Sequence, residues 1–497
     1  MNDAPIRQIV IAGGGTAGWM AAAAFATLLP PAYRISLVES EEIGTVGVGE
    51  ATIPMIRLFN QALKLDEADF MAATQGSYKL GIVFDGWRVP GERYIHAFGP
   101  VGRDLGLIPF HHYWLRAKAT AGDLWDYSLN AAAAYAGRMS LDTPPANAAL
   151  PGISSAFHFD AGLYAAMLRR HAEARGVTRH EGRIARLEQH SESGYATALH
   201  LQNGMRIPGD LFIDCTGFRA LLIGETLGIG YQDWRHWLPC DRALAVPCEG
   251  VAAITPYTRA TARDAGWQWR IPLQHRTGNG HVYCSDHLSD DEAAATLLAN
   301  LDGKALADPK PLRFTTGMRN HQWSHNVISL GLSSGFMEPL ESTSIHLIQS
   351  GISRLLAFLP NQAIAPAART EFNRQSAFEF ERIRDFLILH YHANERPGPF
   401  WAACRAMRIP DSLAAKIERF RATGGISREA DELFTEVGWL QVLLGQGIMP
   451  TDHHPMADAL NDAELADYLA TLKRLIAQRV AAYPAHNALL ATLRRAA

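Results

Sequence analysis

The sequence predicts an α/β fold in which a sheet-rich part is followed by a helical one, and three observations predict it. A glycine-rich turn sits between a short apolar strand and an alanine-rich helix at the start of the chain. Two later apolar segments, at 209–218 and 327–339, each run as a strand into a turn of small residues. From about residue 342 onward, helical patterning dominates.

The elements follow in order. Residues 8–12 (QIVIA) read as a buried strand, 16–29 as a helix stopped by Pro30 and Pro31, and 34–39 as a second strand. A stretch dense in glycine, proline and aromatic residues fills 48–151. Beyond it the pattern predicts a helix over 160–175 and strands around 183–187, 197–201, 211–214 and 326–331. The alanine run at 131–134 reads as helix rather than linker. Near the end, Asn461 and Glu464 form an N-terminal capping pair, and Leu465, Leu469, Leu472 and Ile476 line one helical face.

Composition excludes several functions. Among 497 residues, 46 Lys and Arg face 50 Asp and Glu, a net charge of -4 with no basic stripe, so no nucleic acid partner is expected. The five cysteines are scattered without a C-x-x-C pair, which argues against both a disulfide framework and a zinc site. His111-His112 and His453-His454 are adjacent pairs whose side chains diverge on any regular element, so they read as core or surface rather than metal ligands. No run approaches the roughly 20 apolar residues of a membrane helix, and no signal peptide opens the chain. The expectation is a soluble, cytoplasmic protein with no membrane partner.

The turn Gly13-Gly14-Gly15-Thr16-Ala17-Gly18 has the form of a dinucleotide fingerprint. Gly13 permits the tight turn, Gly15 lets the backbone approach a pyrophosphate, and Gly18 allows close packing of helix on strand. The helix N-terminus then presents free N–H groups to the phosphates. Glu39 ends the second strand about twenty residues later, where an acid receives ribose hydroxyls. The segments at 209–218 and 327–339 resemble those by which FAD-dependent hydroxylase-like folds return to the flavin, and two such returns favour FAD. The predicted architecture is therefore an FAD-binding, hydroxylase-like dinucleotide fold of the glutathione-reductase type. Residues 1–350 would form the FAD unit, with a substrate and catalytic segment inserted at about 76–150. Residues 351–497 would form a helical subdomain covering the substrate. No second G-x-G-x-x-G opens a helix, so the flavin is expected to be reduced elsewhere.

Three strings together resemble the flavin-dependent tryptophan halogenase family: GGGTAGW (13–19), GWQWRIP (266–272) and EPLESTSIHL (338–347). VGVGEATIP (46–54) and YKLG (78–81) also fit. The resemblance implies an FADH2-dependent enzyme supplied by a separate NAD(P)H-dependent flavin reductase. Hypohalous acid would form from chloride or bromide at a flavin hydroperoxide and travel to an electron-rich aromatic substrate. FAD contacts would fall on Gly13, Gly15, Thr16, Ala17, Gly18, Glu39, Val48, Ala51, Ile184, Leu332 and Ile345. Lys79 would be the catalytic lysine, otherwise a strand-edge residue with its ammonium in solvent. Glu341, otherwise a helix-end acid, would sit near it, stabilise the cationic ring intermediate and take up its proton. Thr343 and Ser344 would hold the halide with backbone N–H groups. Serine stands where the family usually has glycine, and a positive φ there would strain the loop and favour bromide. Trp267 and Trp269 would keep the substrate from the flavin. His96 and Phe98 would sandwich its ring.

The segment EVGWLQVLLGQGIMP (436–450) offers Trp439 and Gln441 but not the tyrosine pair that holds an amino acid head group in the family. Indole or a larger indole-like molecule is the expected substrate. A homodimer is allowed. An FAD-dependent aromatic monooxygenase and a non-catalytic FAD-binding protein are the alternatives.

Overall fold

The computed structural model describes residues 5–43, 49–145, 147–361 and 363–496. The chain divides into two compact units, each assembled from three separated segments. The first comprises Met1–Gly76, Phe159–Asp241 and Arg313–Glu381, and the second Ser77–His158, Arg242–Leu312 and Arg382–Ala497.

The first unit is built on a six-stranded sheet. Its order is Trp323–Ser324, Val327–Ser329, Leu211–Asp214, Gln8–Ala12, Arg34–Glu39 and Thr178–Glu181, parallel in all but the first pairing. The central strands are continuous apolar runs because helices cover both faces of a parallel sheet. Helix Thr16–Leu28 crosses between the first two strands and packs on helices Ala161–Glu173 and Ser344–Phe358. Its alanines at 21–24 are fully buried, and their small side chains allow that close approach.

The second unit centres on a seven-stranded sheet ordered Lys310–Arg313, Arg242–Glu249, Arg276–Tyr283, Gly266–Pro272, Thr258–Arg263, Gly81–Asp85 and Arg93–Ala97. Helices Pro399–Ala406, Asp411–Thr423, Glu436–Gly445, Asp462–Ala482 and His486–Ala496 belong to it. Helix Pro366–His392 begins in the first unit and ends in the second.

The predicted helices and strands appear within a residue or three of their expected bounds, including helix Leu129–Tyr135 and the Asn461–Glu464 capping box. The division differs from the expected cut at 350. Gly81–Asp85 pairs in parallel with Thr258–Arg263, a partner about 175 residues away, and residues 351–381 remain with the cofactor sheet. Local periodicity carries no information about such partners.

Candidate active site

The cofactor cradle forms where three parallel strands end together. Ala12 pairs with Asp214, and Asp214 with Ser329, so the turns after all three emerge at one sheet edge. That edge is where doubly wound sheets bind nucleotides. The three turns are also tied to one another. Cys215 N donates to Ala12 O at 2.8 Å, Leu330 N donates to Asp214 O at 2.9 Å, and the Ser333 hydroxyl donates to Asp214 O.

Each glycine of the first turn has a visible reason. Gly13 has φ +105°, and a Cβ on it would lie 2.3 Å from Cys215 O. A Cβ on Gly18 would meet Gly13 O at 1.9 Å. Around Gly15 there is nothing within 4 Å, the open space a pyrophosphate needs beside the helix start. A Cβ on Gly14 would lie 1.6 Å from Glu39 Oε2, so Glu39 reaches across the turn, held by Arg179 at 2.6 Å and Trp19 at 3.3 Å. Thr16 and Ala17 open the helix, and Gly331, at φ +66°, brings the third turn against Ala17. Leu332 lies in that third turn. Ile184 packs on the apolar cluster beside Val10 and Ala12. Ala51 is buried in strand Gly49–Ala51, where burial pushes the neighbouring Glu50 carboxyl up to about 7. Val48 lies outside the described residues.

The segment after the third turn is packed with buried polar groups. Glu338, Glu341, Ser342 and Thr343 are all buried. Ser342, at φ 59°, holds the left-handed conformation, and helix Ser344–Phe358 starts two residues later. This corrects the sequence expectation of strain at Ser344: the strained residue is Ser342, and Ser344 is the first residue of an ordinary helix. Thr343 is the N-cap, yet its hydroxyl does not cap, and its buried Oγ1 has no hydrogen-bond partner. Ile345 is buried in the first turn.

In the second unit, Lys79 ends strand Ser77–Lys79, which pairs antiparallel with residues 156–158. It is fully buried, which removes the reading of a solvent-facing strand-edge lysine. Its Nζ lies 5.3 Å from the centre of the Phe98 ring. His158 hydrogen-bonds Ser77 at 3.0 Å and Thr258 at 2.9 Å. Burial, with the Lys79 charge next, holds His158 well below the usual histidine range. A neutral His158 beside a buried ammonium avoids a second buried charge.

His96 and Phe98 share one side of the strand Arg93–Ala97 and its extension. The His96 ring lies 5.6 Å from that of Phe386 and 6.1 Å from that of Phe434, and these two phenylalanines stack at 3.8 Å. Gly438 leaves room for His96: a Cβ there would be 3.1 Å from Nε2. Gln441 is consumed by the backbone of Ala97, accepting from its N at 3.1 Å and donating to its O at 3.0 Å. Trp439 donates its indole N–H to Glu432, which is also paired with Lys416 at 2.8 Å. Trp267 and Trp269 are buried in strand Gly266–Pro272, and Gly280 opposite makes room for the Trp269 ring. Sequence reasoning missed Phe386, Phe434 and Glu432. Phe386 and His390 recur at helical spacing, a detectable signal, whereas Phe434 and Glu432 lie in a loop with none.

Three converging turns, an open phosphate space at a helix start and an acid across it define a dinucleotide-binding protein, the scaffold that the FAD-dependent hydroxylase-like class uses. The family model described as tryptophan halogenase matches residues 8–462. The chain belongs to the tryptophan halogenase family. It is 51% identical to a flavin-dependent halogenase from Xanthomonas campestris, with a TM-score of 0.95 covering 99% of this chain and 98% of that one. It is 48% identical to BrvH, a flavin-dependent halogenase from Brevundimonas sp. BAL3, with a TM-score of 0.94 and coverage of 98% and 99%. Tryptophan 6-halogenase SttH of Streptomyces toxytricini is 34% identical, with 94% of each chain covered. The protein is thus a flavin-dependent halogenase that uses reduced FAD and halide, draws its reduced flavin from a separate reductase and acts on an aromatic substrate. The monooxygenase and non-catalytic readings give way to this one. Among the described residues, no helix is long and apolar enough to cross a membrane, and no group of three or more His, Cys, Asp or Glu is placed to hold a metal ion.

Proposed function

We propose that this halogenase acts on a neutral indole or indole-like ring rather than on an amino acid. The observation that carries the reading is the prior commitment of Gln441 and Trp439: their polar groups are bonded to Ala97 and Glu432, and Glu432 is already neutralised by Lys416. A zwitterion entering this region would find no matched charges in the segment, at a cost of several kcal/mol for an unpaired buried charge. A neutral ring needs only stacking and apolar contact, which His96, Phe98, Phe386 and Phe434 offer.

In this reading the first unit holds FAD through Gly13, Gly15, Thr16, Ala17, Gly18, Glu39, Val48, Ala51, Ile184, Leu332 and Ile345. Reduced FAD, when bound, supplies the oxygen-activating chemistry that converts halide to hypohalous acid. Thr343 and Ser344 hold the halide with backbone N–H groups at the start of helix Ser344–Phe358, and the idle Thr343 hydroxyl supports that assignment. Lys79 presents a compact ammonium donor to the halogenating species. Glu341 stabilises positive charge on the ring and accepts its proton. Both chloride and bromide serve, since strain at Ser344 gives no ground for a bromide preference. We place the enzyme in the cytoplasm and allow for a homodimer.

The test is a competition between indole and L-tryptophan with each halide, driven by a flavin reductase and NAD(P)H. Indole is expected to give the higher kcat/KM. A clear preference for tryptophan would refute the assignment.

A further inference from the structure

We propose that His346, held by Glu379, is a positioning residue that sets the charge and seating of the halide-binding turn; this rests on the assignment of that turn to Thr343 and Ser344 above. His346, Ser350 and Arg354 follow one another at four-residue spacing on helix Ser344–Phe358 and form one stripe. A single carboxylate, Glu379, receives all three. His346 Nε2 lies 2.9 Å from Oε1, and the Ser350 hydroxyl and Arg354 guanidinium donate to Oε2 at 2.7 and 2.8 Å. Arg354 also donates to Ser376 at 2.9 Å. The first three turns of the halide helix are therefore fastened to one part-buried acid.

The protonation of this cluster follows from its geometry. Burial disfavours the charge on Glu379, but hydrogen bonds and charge from His346 and Arg354 outweigh it and bring the carboxyl down to about 2. An ionised carboxylate only accepts, so His346 donates to it from Nε2. The other nitrogen, Nδ1, is buried and has no hydrogen-bond partner. Glu379 and Arg354 cancel each other, so a proton on His346 adds net positive charge two residues from Ser344. The neighbouring elements do little to alter this balance. Helix Thr16–Leu28 and the turn Gly331–Ser333 carry no titratable side chain, and helix Met55–Ala62 contributes only Arg57. Glu338 and Glu341 precede the turn and are the other titratable groups beside it. An anion at 343–344 and a proton on His346 thus favour each other, and each raises the other's affinity by the same factor.

The test uses the full chain with FAD bound and titrates bromide at constant ionic strength, following flavin fluorescence, at a lower and a higher pH. The parent protein should bind bromide more tightly at the lower pH. His346→Gln preserves a donor toward Glu379 but cannot ionise. It should weaken bromide binding about five- to tenfold at the lower pH, the scale of one charge beside a helix terminus. It should also erase the pH dependence and raise KM for bromide while leaving kcat at saturation and FAD affinity unchanged. The anomalous scattering of bromide in crystals of the FAD-bound chain separates the two readings. If bromide sits at 343–344 while His346→Gln retains the parent affinity and pH dependence, His346 has no such role and the halide turn stands. If bromide sits elsewhere, the halide assignment fails and this inference fails with it.

Discussion

Gly438→Ala should separate stability from catalysis. Gly438 is the third residue of helix Glu436–Gly445 and receives the Thr435 cap on its backbone N–H at 3.3 Å, a bond that alanine retains. Glycine to alanine within a helix is favourable by up to about 1 kcal/mol. Against this, the new methyl would sit 3.1 Å from His96 Nε2 and 3.7 Å from the Phe434 Cβ. The first distance is a few tenths of an ångström short of ordinary contact, so the His96 ring must give way by about that much. That crowding offsets part of the helix gain and leaves a net stability change between zero and about +1 kcal/mol. Catalysis responds more steeply, because a misplacement of about 1 Å can cost about a hundredfold, and a shift of a few tenths should cost several-fold in kcat/KM for indole. The assay pairs a denaturation midpoint with steady-state halogenation. Unchanged kcat/KM in a protein at least as stable as the parent would refute the placement of His96 against the substrate. A loss of stability parallel to the loss of rate would show that Gly438 serves packing alone.

Two catalytic-site variants and one pair of buried histidines give three further outcomes. Lys79→Ala should abolish halogenation of the organic substrate while flavin oxidation continues, and Lys79→Arg should fail too because a planar fork does not replace a compact donor; product analysis beside oxygen consumption checks both. Glu341→Gln should keep the fold and slow halogenation by roughly a hundredfold or more, read from single-turnover product formation. Acid should destabilise the protein through His281 and His486, which burial lowers to about 4. The unfolded chain binds their protons near the ordinary value, so stability falls as pH drops from about 6.5 to about 4 and levels off below. Each contributes about 2 kcal/mol of loss between pH 7 and 5. Urea denaturation at the two pH values, with His281→Phe expected to flatten the dependence, measures it.

What the sequence showed depended on whether a signal was local. The fingerprint at 13–18 could be read because tight turn, open phosphate space and close helix packing all fall within six residues. The capping box at 461–464 is similarly self-contained. Lys79 could be singled out only through its motif, because its burial depends on Phe98 and on strands far away in the chain. Ser344 was read from residue type alone, and the left-handed residue turned out to be Ser342, a position with no glycine or asparagine to mark it. The histidine pairs show the same limit. His111 and His112 lie over 300 residues from His453 and His454, yet the backbone N–H of His454 donates to His112 Nδ1 at 3.1 Å. Nothing in either pair alone announces the other.

The helix starts offer a final argument about the anion sites. Wherever the N-cap of a described α-helix is Asp, Asn, Ser or Thr, the side chain caps it, with one exception. Asp66, Ser128, Asp160, Ser289, Thr435 and Asn461 all accept from the first turn. Thr343 does not: the six caps have extended backbone, whereas Thr343, at φ -90° and ψ -9°, is helical, and its hydroxyl makes no cap. Its hydroxyl is buried and idle, so the protein forgoes both the cap and the solvation of that oxygen. The other helix start proposed to face an anion, at Thr16, has Gly15 as its N-cap, with no side chain to occupy the free N–H groups. At both places the first-turn donors remain available to a ligand. The left-handed Ser342 and the helical backbone of Thr343 thus turn the chain into the helix without a side-chain cap, and an anion bound at that turn would supply the partner that the first-turn donors lack.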